Sequence, residues 1–365
     1  MDFGRLIRSE LDALTPYTPG LRASEVKEKT GAARIVKLSS NEFSAGPVLE
    51  AVRAIEAMAL HANRYPDGSA RALRGRISRW LDVPRDNVVV GAGSNELIRL
   101  IAQAVLRPGD ECVFAWPSFV VYPIVTQMFG ATAVPIPLKA DDTHDLEAMA
   151  DAITERTRLV FLCNPNNPTG TIYHRIAFER FLGRLPEHVL LVVDEAYFEF
   201  VADEHYPDAL RYFDSAPALC VMRTFSKIYS LASLRIGYGV VPEPIRHAIE
   251  RLREPFNTSA LAQAAAYYSI PEHDEIERRR AENIESRDRM CEAFDQIGLE
   301  YAASHANFVY VKTDEPQRLF EALLAEGVIV RDFGASPALR VTVGDPEETA
   351  FAITAFERAY ARLYG

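Results

Sequence analysis

The chain has 365 residues, of which 48% are hydrophobic and 25% charged, and its formal net charge is −11 at pH 7. This length suggests one larger and one smaller domain, with enough apolar residues for a substantial core. The acidic balance repels phosphate backbones and anionic lipid, which argues against nucleic acid and membrane as partners. An anionic ligand would have to be bound by a few locally placed arginine or lysine side chains.

The cysteines and the N-terminus are typical of a cytoplasmic protein without structural metal. The cysteines are widely separated, form no CxxC pair and are interpreted as small buried apolar residues: Cys112, Cys163, Cys220 and Cys291. The first residues, MDFGRLIRSELDAL, carry acids and lack the apolar core of a signal peptide. No apolar stretch approaches the roughly 20 residues of a membrane span. We therefore expect a cytoplasmic location.

Between about residue 45 and residue 250, short β-branched runs alternate with longer amphipathic segments. The predicted strands are Val88–Val90, Glu111–Ala115, Leu159–Cys163, Leu190–Val193 and Leu219–Met222. The predicted helices between them are Glu96–Val105, Asp145–Ala152 and Ile176–Leu182. Near-continuous apolar strands separated by helices predict an α/β fold, in which helices cover both faces of a mostly parallel central sheet.

The C-terminal part has a different pattern. A charged helical run, Glu272–Gly298, is followed by a predicted strand at Phe308–Val311 and a predicted helix at Pro316–Glu326. Two more predicted strands follow, at Val328–Arg331 and Leu339–Val343. We predict an N-terminal arm (1–45) that belongs to the small domain, a large domain (46–250) and a smaller α+β C-terminal domain (251–365).

Polar segments directly follow four of the predicted strands. They are Gly91–Glu96 (GAGSNE), Asn164–Gly170 (NPNNPTG), Asp194–Tyr197 (DEAY) and Arg223–Lys227 (RTFSK). Each segment alone could be a turn or a helix cap. In an open parallel sheet, however, ligands bind outside the carboxyl ends of the strands. The combination therefore predicts one site at this edge of the sheet.

The same motifs carry a resemblance to a known family. NPNNPTG, VDEAY and TFSK followed by LRIGYG, in that order, resemble the fold-type-I aminotransferases, which use pyridoxal 5′-phosphate. The resemblance extends from Asn63–Gly68 (NRYPDG) to Leu339–Gly344 (LRVTVG). Within that superfamily the chain looks most like the histidinol-phosphate aminotransferases, and it also resembles a related group of bacterial aromatic aminotransferases. The resemblance implies a large cofactor-binding domain and a smaller α+β domain.

The resemblance assigns the catalytic roles to three residues. Lys227 would bind the cofactor aldehyde as a Schiff base and then move a proton, and both tasks need a pKa below the ordinary value of roughly 10.4. Burial close to a cation such as Arg235 lowers a lysine pKa in this way. Asp194 would keep the cofactor's ring nitrogen protonated. Tyr197, together with Asn167, would hydrogen-bond the phenolic oxygen of the ring.

Further residues are implied as cofactor contacts. Phe119 stands where relatives place an aromatic ring that stacks on the cofactor. A phosphate needs a helix N-terminus and polar donors, and the residues implied for it are Ser94, Asn95, Thr224, Ser226 and Arg235. Tyr65 matches a tyrosine that reaches the phosphate from the partner subunit. The resemblance therefore also implies a homodimer with a shared active site.

The substrate residues are implied by the same resemblance. Arg340 matches an arginine that binds a substrate carboxylate bidentately, and Arg331, Tyr17 and Asn41 match residues that line the substrate pocket. Two arginines in an acidic protein favour histidinol phosphate, with 2-oxoglutarate as the amino acceptor. Apolar residues such as Phe119 leave open an aromatic amino acid, phenylalanine or tyrosine, as the substrate.

Other classes of protein are less well supported. The run VVVGAGSNE begins like the dinucleotide fingerprint of a nicotinamide-dependent dehydrogenase, but Glu96 stands where the third glycine belongs. A transcription regulator would need an added basic DNA-binding module, and the aminotransferase-like pattern begins almost at Met1. Lyases and decarboxylases that use the same cofactor and fold remain open.

Overall fold

The structure, a computed structural model, describes residues 20–216, 218–334 and 336–364. The β-strands are β1 (Val36–Lys37), β2 (Val88–Gly91), β3 (Glu111–Trp116), β4 (Thr132–Pro137), β5 (Thr157–Cys163), β6 (Leu190–Asp194), β7 (Leu219–Thr224), β8 (Gly237–Val240), β9 (Phe308–Lys312), β10 (Val328–Ile329), β11 (Arg331–Asp332) and β12 (Ala338–Thr342). The α-helices are α1 (Ala23–Thr30), α2 (Leu49–Ala59), α3 (Arg71–Leu81), α4 (Ser94–Val105), α5 (Val121–Met128), α6 (Leu146–Asp151), α7 (Arg175–Leu182), α8 (Glu243–Leu252), α9 (Ala260–Ser269), α10 (His273–Ile297), α11 (Pro316–Ala325) and α12 (Pro346–Tyr364).

The central feature is a seven-stranded sheet with the order β2-β8-β7-β6-β5-β3-β4. Neighbouring strands from β7 to β4 pair in parallel, whereas β8 is antiparallel to both β2 and β7. The five strands and three helices that the sequence predicts in this region are present, with boundaries shifted by one or two residues. The mostly parallel α/β architecture is therefore confirmed.

Two strands of this sheet lack the apolar run that would predict them. β4, at the edge, contains two prolines and is only partly buried, as expected for an edge strand with missing ladder donors. β8 is short and contains Gly237 and Gly239. A Cβ on Gly237 would lie 2.8 Å from the Ser94 nitrogen, and one on Gly239 2.8 Å from the Met222 sulfur. Close packing thus requires glycine where a strand pattern would show larger residues.

Alternate residues of the central strands face two separate cores. Cys112 and Phe114 of β3 pack with residues of α4, α5 and α8 on one face. Val113 of the same strand packs with residues of α6 and α7 on the opposite face. This alternation places apolar side chains on both faces, so the polar residues that follow each strand are left at its end.

The C-terminal residues form a second, smaller sheet with the order β11-β12-β9, which is antiparallel. Its core contains Val36 and Leu38 from the N-terminal part, as well as apolar residues of α10, α11 and α12. The predicted strand Val328–Arg331 is divided, because β10 pairs in parallel with β1 whereas β11 pairs with β12. Helix α9 packs with α2 in the core around β2 and β8, although the predicted boundary near residue 250 assigns this helix to the smaller domain. The domain boundaries stay a prediction.

The cysteines are mostly buried, as expected from the sequence. Cys112, Cys163 and Cys220 are buried and Cys291 is partly buried, and all four are free thiols. Within the described ranges, no helix has the length and apolar character needed to cross a membrane. The described residues also contain no cluster of three or more His, Cys, Asp or Glu side chains that could hold a metal ion.

Candidate active site

The residues that the sequence predicts for the site, apart from Tyr17 and Tyr65, line one cavity at the carboxyl ends of the central strands. These residues are Asn41, Ser94, Asn95, Phe119, Asn167, Asp194, Tyr197, Thr224, Ser226, Lys227, Arg235, Arg331 and Arg340. The register of the parallel strands explains part of this convergence, since Cys163, Asp194 and Met222 lie side by side at the ends of β5, β6 and β7. The segments that follow these strands therefore emerge at the same edge.

Lys227 follows β7 and is partly buried in the cavity wall. Its Nζ donates to the Ser40 carbonyl at 3.4 Å and lies 5.4 Å from the centre of the Tyr197 ring. Burial and the positive charges of Arg340 and Arg235 lower the pKa of Lys227 from 10.5 to about 7. Near neutral pH, a large fraction of this amine is therefore unprotonated and able to act as a nucleophile or base.

Asp194 ends β6 and is 2% exposed. Its Oδ2 accepts a hydrogen bond from the Tyr122 hydroxyl at 2.9 Å, and its Oδ1 accepts one from the Ala196 nitrogen at 3.2 Å. Burial raises the pKa of Asp194 to about 6, although both hydrogen bonds and Lys227 act in the opposite direction. The carboxyl group is therefore largely ionised at pH 7 and is well placed to bind a cationic group.

Tyr122 is a site residue that the sequence analysis misses. It is fully buried in the first turn of α5, and its ring stacks on Phe161 at 4.5 Å. A tyrosine in an amphipathic helix is normally interpreted as part of the core. The available signal was its spacing of three residues from Phe119, because a turn before α5, in which the Tyr122 nitrogen donates to the Phe119 carbonyl at 3.0 Å, brings the two residues together.

A second hydrogen-bonded group surrounds Tyr197, whose hydroxyl accepts from Asn41 Nδ2 at 2.9 Å. Asn41 is 1% exposed and has a φ of 54°, in the left-handed region that asparagine tolerates better than most residues. Its backbone nitrogen donates to Thr342 Oγ1, and its carbonyl accepts from Asn307 Nδ2. Burial raises the pKa of Tyr197 above its ordinary value, so the phenol stays protonated.

The N-terminus of α4 forms a small polar cradle. The helix begins at Ser94, and Gly93 before it has a φ of 82°. A Cβ on Gly93 would lie 2.6 Å from the Arg235 guanidinium, so only glycine permits this arginine to lie against the helix end. From β7, Thr224 Oγ1 accepts a hydrogen bond from the Ser226 nitrogen at 3.1 Å. Free helix N–H groups, hydroxyls and a guanidinium together suit a phosphate.

Two arginines enter the cavity from the smaller sheet. Arg331 of β11 is paired in register with Arg340 of β12, and directly opposite residues of an antiparallel pair share one face. Arg340 is 8% exposed and donates to the Ser39 carbonyl at 2.9 Å and to Asn167 Oδ1. Its guanidinium lies 5.7 Å from the ring centre of Phe333. Like charges directly opposite each other are unfavourable, so an anion that contacts both side chains would be stabilised here.

Aromatic side chains line another part of the cavity. Phe119 is partly buried and packs edge-on against Tyr122 at 5.7 Å. Trp116 also lines the cavity, and 41% of it remains exposed. An aromatic ring of a ligand could therefore be accommodated beside the polar groups.

Among the described residues predicted for the site, Tyr65 does not line this cavity in one chain. Tyr65 is 82% exposed and stacks on Phe256 at 4.6 Å, on the surface. Tyr17 lies outside the described residues. The roles of both residues stay predictions.

Comparison with known proteins identifies the family. The family model for class I and II aminotransferases matches residues 33–356. The chain belongs to the class I and II aminotransferases. This aminotransferase is 41% identical to the histidinol-phosphate aminotransferase of Moorella thermoacetica, over 97% of this chain and 93% of that enzyme. It is 44% identical to the aromatic amino acid aminotransferase of Corynebacterium jeikeium, over 97% of this chain and 94% of that enzyme.

A solved structure supports the same conclusion for the fold. The crystal structure of histidinol-phosphate aminotransferase from Sinorhizobium meliloti, in complex with pyridoxal 5′-phosphate, matches this aminotransferase with a TM-score of 0.90 and 26% identity. The match covers 98% of each chain. The predicted fold type, the reaction class and the dependence of the family on pyridoxal phosphate are therefore confirmed. The two names among the relatives leave the substrate open between histidinol phosphate and aromatic amino acids.

Proposed function

We propose that the aminotransferase holds pyridoxal phosphate in this cavity, with Lys227 as the residue that binds its aldehyde. The chemistry of the residues fits the cofactor. An amine with a lowered pKa and a buried carboxylate, Asp194, line one cavity. The cradle at the N-terminus of α4 is open only because Gly93 lacks a side chain. The bound cofactor supplies an electron sink for the charge that develops at the substrate α-carbon.

The lowered pKa of Lys227 supports two tasks for this residue. As a free amine it would bind the cofactor's aldehyde, and as a base it would accept the proton that leaves the substrate α-carbon. A general base works best when its pKa lies near the operating pH. The contact between Nζ and the Ser40 carbonyl holds the end of this flexible side chain in the cavity.

The surrounding residues hold the cofactor and tune its charge. Asp194 would bind the ring nitrogen and keep a proton on it, while Tyr197 and Asn167 would donate to the phenolic oxygen and Phe119 would pack on the ring. The hydroxyls and N–H groups of the cradle would hold the phosphate, and they come from Ser94, Asn95, Thr224, Ser226 and Arg235. All of these residues are supplied by the large sheet or the segments beside it.

For the substrate we propose histidinol phosphate, with 2-oxoglutarate as the acceptor, in a step of histidine biosynthesis. The observation that carries this proposal is the pairing of Arg331 with Arg340 on one face of the smaller sheet. A phosphate group carries nearly two negative charges at pH 7 and offers three acceptor oxygens to such a pair. Glutamate would place its carboxylates in the same region, so Asn41 and both arginines need not move between the two half-reactions.

Replacing Arg331 with alanine tests the substrate. We expect kcat/KM for histidinol phosphate to fall by roughly 10- to 100-fold, since a hydrogen bond to a charged group contributes about 1.5–3 kcal/mol. For phenylalanine we expect a change below about threefold, because the aromatic ring depends on packing. Lys312→Ala is the matched control, since Lys312 also lines the cavity but pairs with Asp142. This control should affect the two substrates equally.

The second candidate is an aromatic amino acid aminotransferase, which Phe119 and the half-exposed Trp116 in the cavity wall favour. The same steady-state measurements on the wild-type enzyme decide between the two. If kcat/KM for phenylalanine exceeds that for histidinol phosphate, the substrate is aromatic and the proposal for histidinol phosphate is wrong.

We also propose that the enzyme is a homodimer in which Tyr65 reaches the phosphate held by the other subunit. Its exposed position, away from the cavity of its own chain, supports this role. Tyr65→Phe should leave the dimer intact and weaken cofactor binding by roughly 10- to 100-fold, the effect of one hydrogen bond to a charged group. Tyr268→Phe, at another exposed tyrosine, is the control. Sedimentation of an active, fully loaded monomer would contradict the proposal.

A further inference from the structure

Helix α10 carries a buried arginine, Arg279, that is 3% exposed and binds the backbone around Lys227. Its Nη1 donates to the Ile228 carbonyl at 2.9 Å and to Ser230 Oγ at 2.8 Å. Its Nη2 donates to the Gly46 carbonyl at 2.7 Å. One guanidinium therefore joins two segments that are distant in the sequence.

The first of these segments is the turn that begins at Lys227. The Ser230 nitrogen donates to the Lys227 carbonyl at 2.9 Å, and Ser230 has a φ of 59°. A non-glycine residue in this left-handed region is strained and persists only where its surroundings fix it. The two hydrogen bonds from Arg279 to Ile228 and Ser230 supply that constraint from outside the turn.

The second segment leads from Ser40 to Gly46. Its first residue, Ser40, provides the carbonyl that accepts from Lys227 Nζ, and its last residue provides the carbonyl that accepts from Arg279. The guanidinium of Arg279 thus connects the turn that carries Lys227 to the segment whose Ser40 carbonyl contacts the Lys227 amine. The fixed fork of an arginine can serve several acceptors at once, whereas a lysine ammonium cannot reach the same set.

Helix α10 in turn fixes the arginine. Glu275, one helical turn earlier, accepts from Arg279 Nε at 2.8 Å. Its pKa is lowered to about 2 by hydrogen bonds from Arg278 and Arg279, so this carboxylate remains charged at neutral pH. The buried arginine therefore keeps a permanent counter-ion.

We propose that Arg279 is a positioning residue that fixes Lys227 in the cavity by holding the turn after the lysine and the Ser40–Gly46 segment in one arrangement. This inference rests on the role proposed above for Lys227. Arg279 acts through the lysine and does not line the cavity itself. The charged groups that surround the lysine amine are Arg340, Glu42, Arg235 and Asp194. Its distance from the two arginines among them depends on where the turn is held.

The test uses the holoenzyme of Arg279→Lys, which keeps the charge and loses the fork. The absorbance of the bound cofactor is measured as a function of pH, and thermal melting is measured in parallel. A loosened lysine moves away from the neighbouring arginines and toward water, so the titration midpoint should rise by about half a pH unit or more. We expect kcat to fall about tenfold with KM nearly unchanged, as for a small misplacement of a reacting group.

Arg278→Lys is the matched control, because Arg278 also binds Glu275 but is exposed, and its other ion-pair partner is Glu282 on the same helix rather than the turn at Lys227. Its midpoint should equal that of the wild type. Ser230→Ala removes one acceptor and keeps Arg279, so it should shift the midpoint in the same direction by a smaller amount. If Arg279→Lys does not fold, the midpoint of Ser230→Ala tests the positioning role instead.

Two results overturn the inference in distinguishable ways. If the variants at Arg279 and Ser230 melt at lower temperature but titrate like the wild type, Arg279 is only structural and the function proposed for the enzyme is unaffected. If the wild-type enzyme itself does not bind pyridoxal phosphate, the proposed function is wrong, and this inference fails with it.

Discussion

Replacing Lys227 with alanine is expected to abolish transamination, with a loss of at least roughly 10⁴-fold in rate. The variant lacks both the amine that binds the cofactor aldehyde and the base that moves the substrate proton. Lys312 also lines the cavity, but its amine is paired with Asp142, so it is a poor substitute for the amine of Lys227, whose pKa is lowered to about 7. The measurement is a half-reaction between the pyridoxal-phosphate-loaded enzyme and an amino-acid substrate, followed by absorbance.

The same residue can be identified chemically. Wild-type enzyme should be yellow, and borohydride should bleach it and leave the reduced cofactor attached to a peptide that contains Lys227. Lys139→Ala, at an exposed lysine outside the cavity, should label and react like the wild type. Attachment of the reduced cofactor to any other lysine would refute the assignment of the site.

Replacing Asp194 with asparagine should have the second-largest effect. The change removes the charge that keeps a proton on the cofactor's ring nitrogen, and a preorganised electrostatic contact of this kind contributes about 3 kcal/mol, or roughly 10²-fold in kcat. Cofactor binding should persist, because the cradle at α4 is untouched. Tyr122→Phe, which deletes the hydrogen bond at 2.9 Å to Asp194, should cost about tenfold.

The matched control is Asp145→Asn. Asp145 caps α6 by accepting from the Ala148 nitrogen at 3.1 Å, and asparagine caps a helix about as well. This control should leave kcat unchanged. If kcat of Asp194→Asn stays within about tenfold of the wild type, Asp194 is only the end of a strand and the electrostatic role is wrong.

The sequence was informative where an apolar strand ended in a polar motif. Asp194 and Lys227 each follow such a strand, and the sheet geometry brings the ends of adjacent parallel strands together. Two parts of the prediction depended on more than local pattern. Asn41 is held by Thr342, which is 301 residues away in the chain. Strand β8 shows no strand pattern in the sequence, because close packing requires glycine at two of its positions.

Tyr122 and Arg279 were not predicted for a related reason. Each lies on an amphipathic or charged helix, where a tyrosine is expected in the core and an arginine at the surface. Their contacts with Asp194 and with the turn after Lys227 become visible only when the elements are packed together. Reactive groups are therefore easier to identify from sequence patterns than the residues that hold them in place.

The location of the two arginines has a consequence for how new specificities arise in such enzymes. Arg331 and Arg340 belong to the small antiparallel sheet, whereas Asp194 ends a strand of the large sheet and Lys227 follows another. If Arg331 and Arg340 bind the substrate as proposed, substitutions on β11 or β12 would alter which amine is accepted while the reactive groups keep their arrangement. This modularity agrees with relatives of 41% and 44% identity that carry the names of two different substrates.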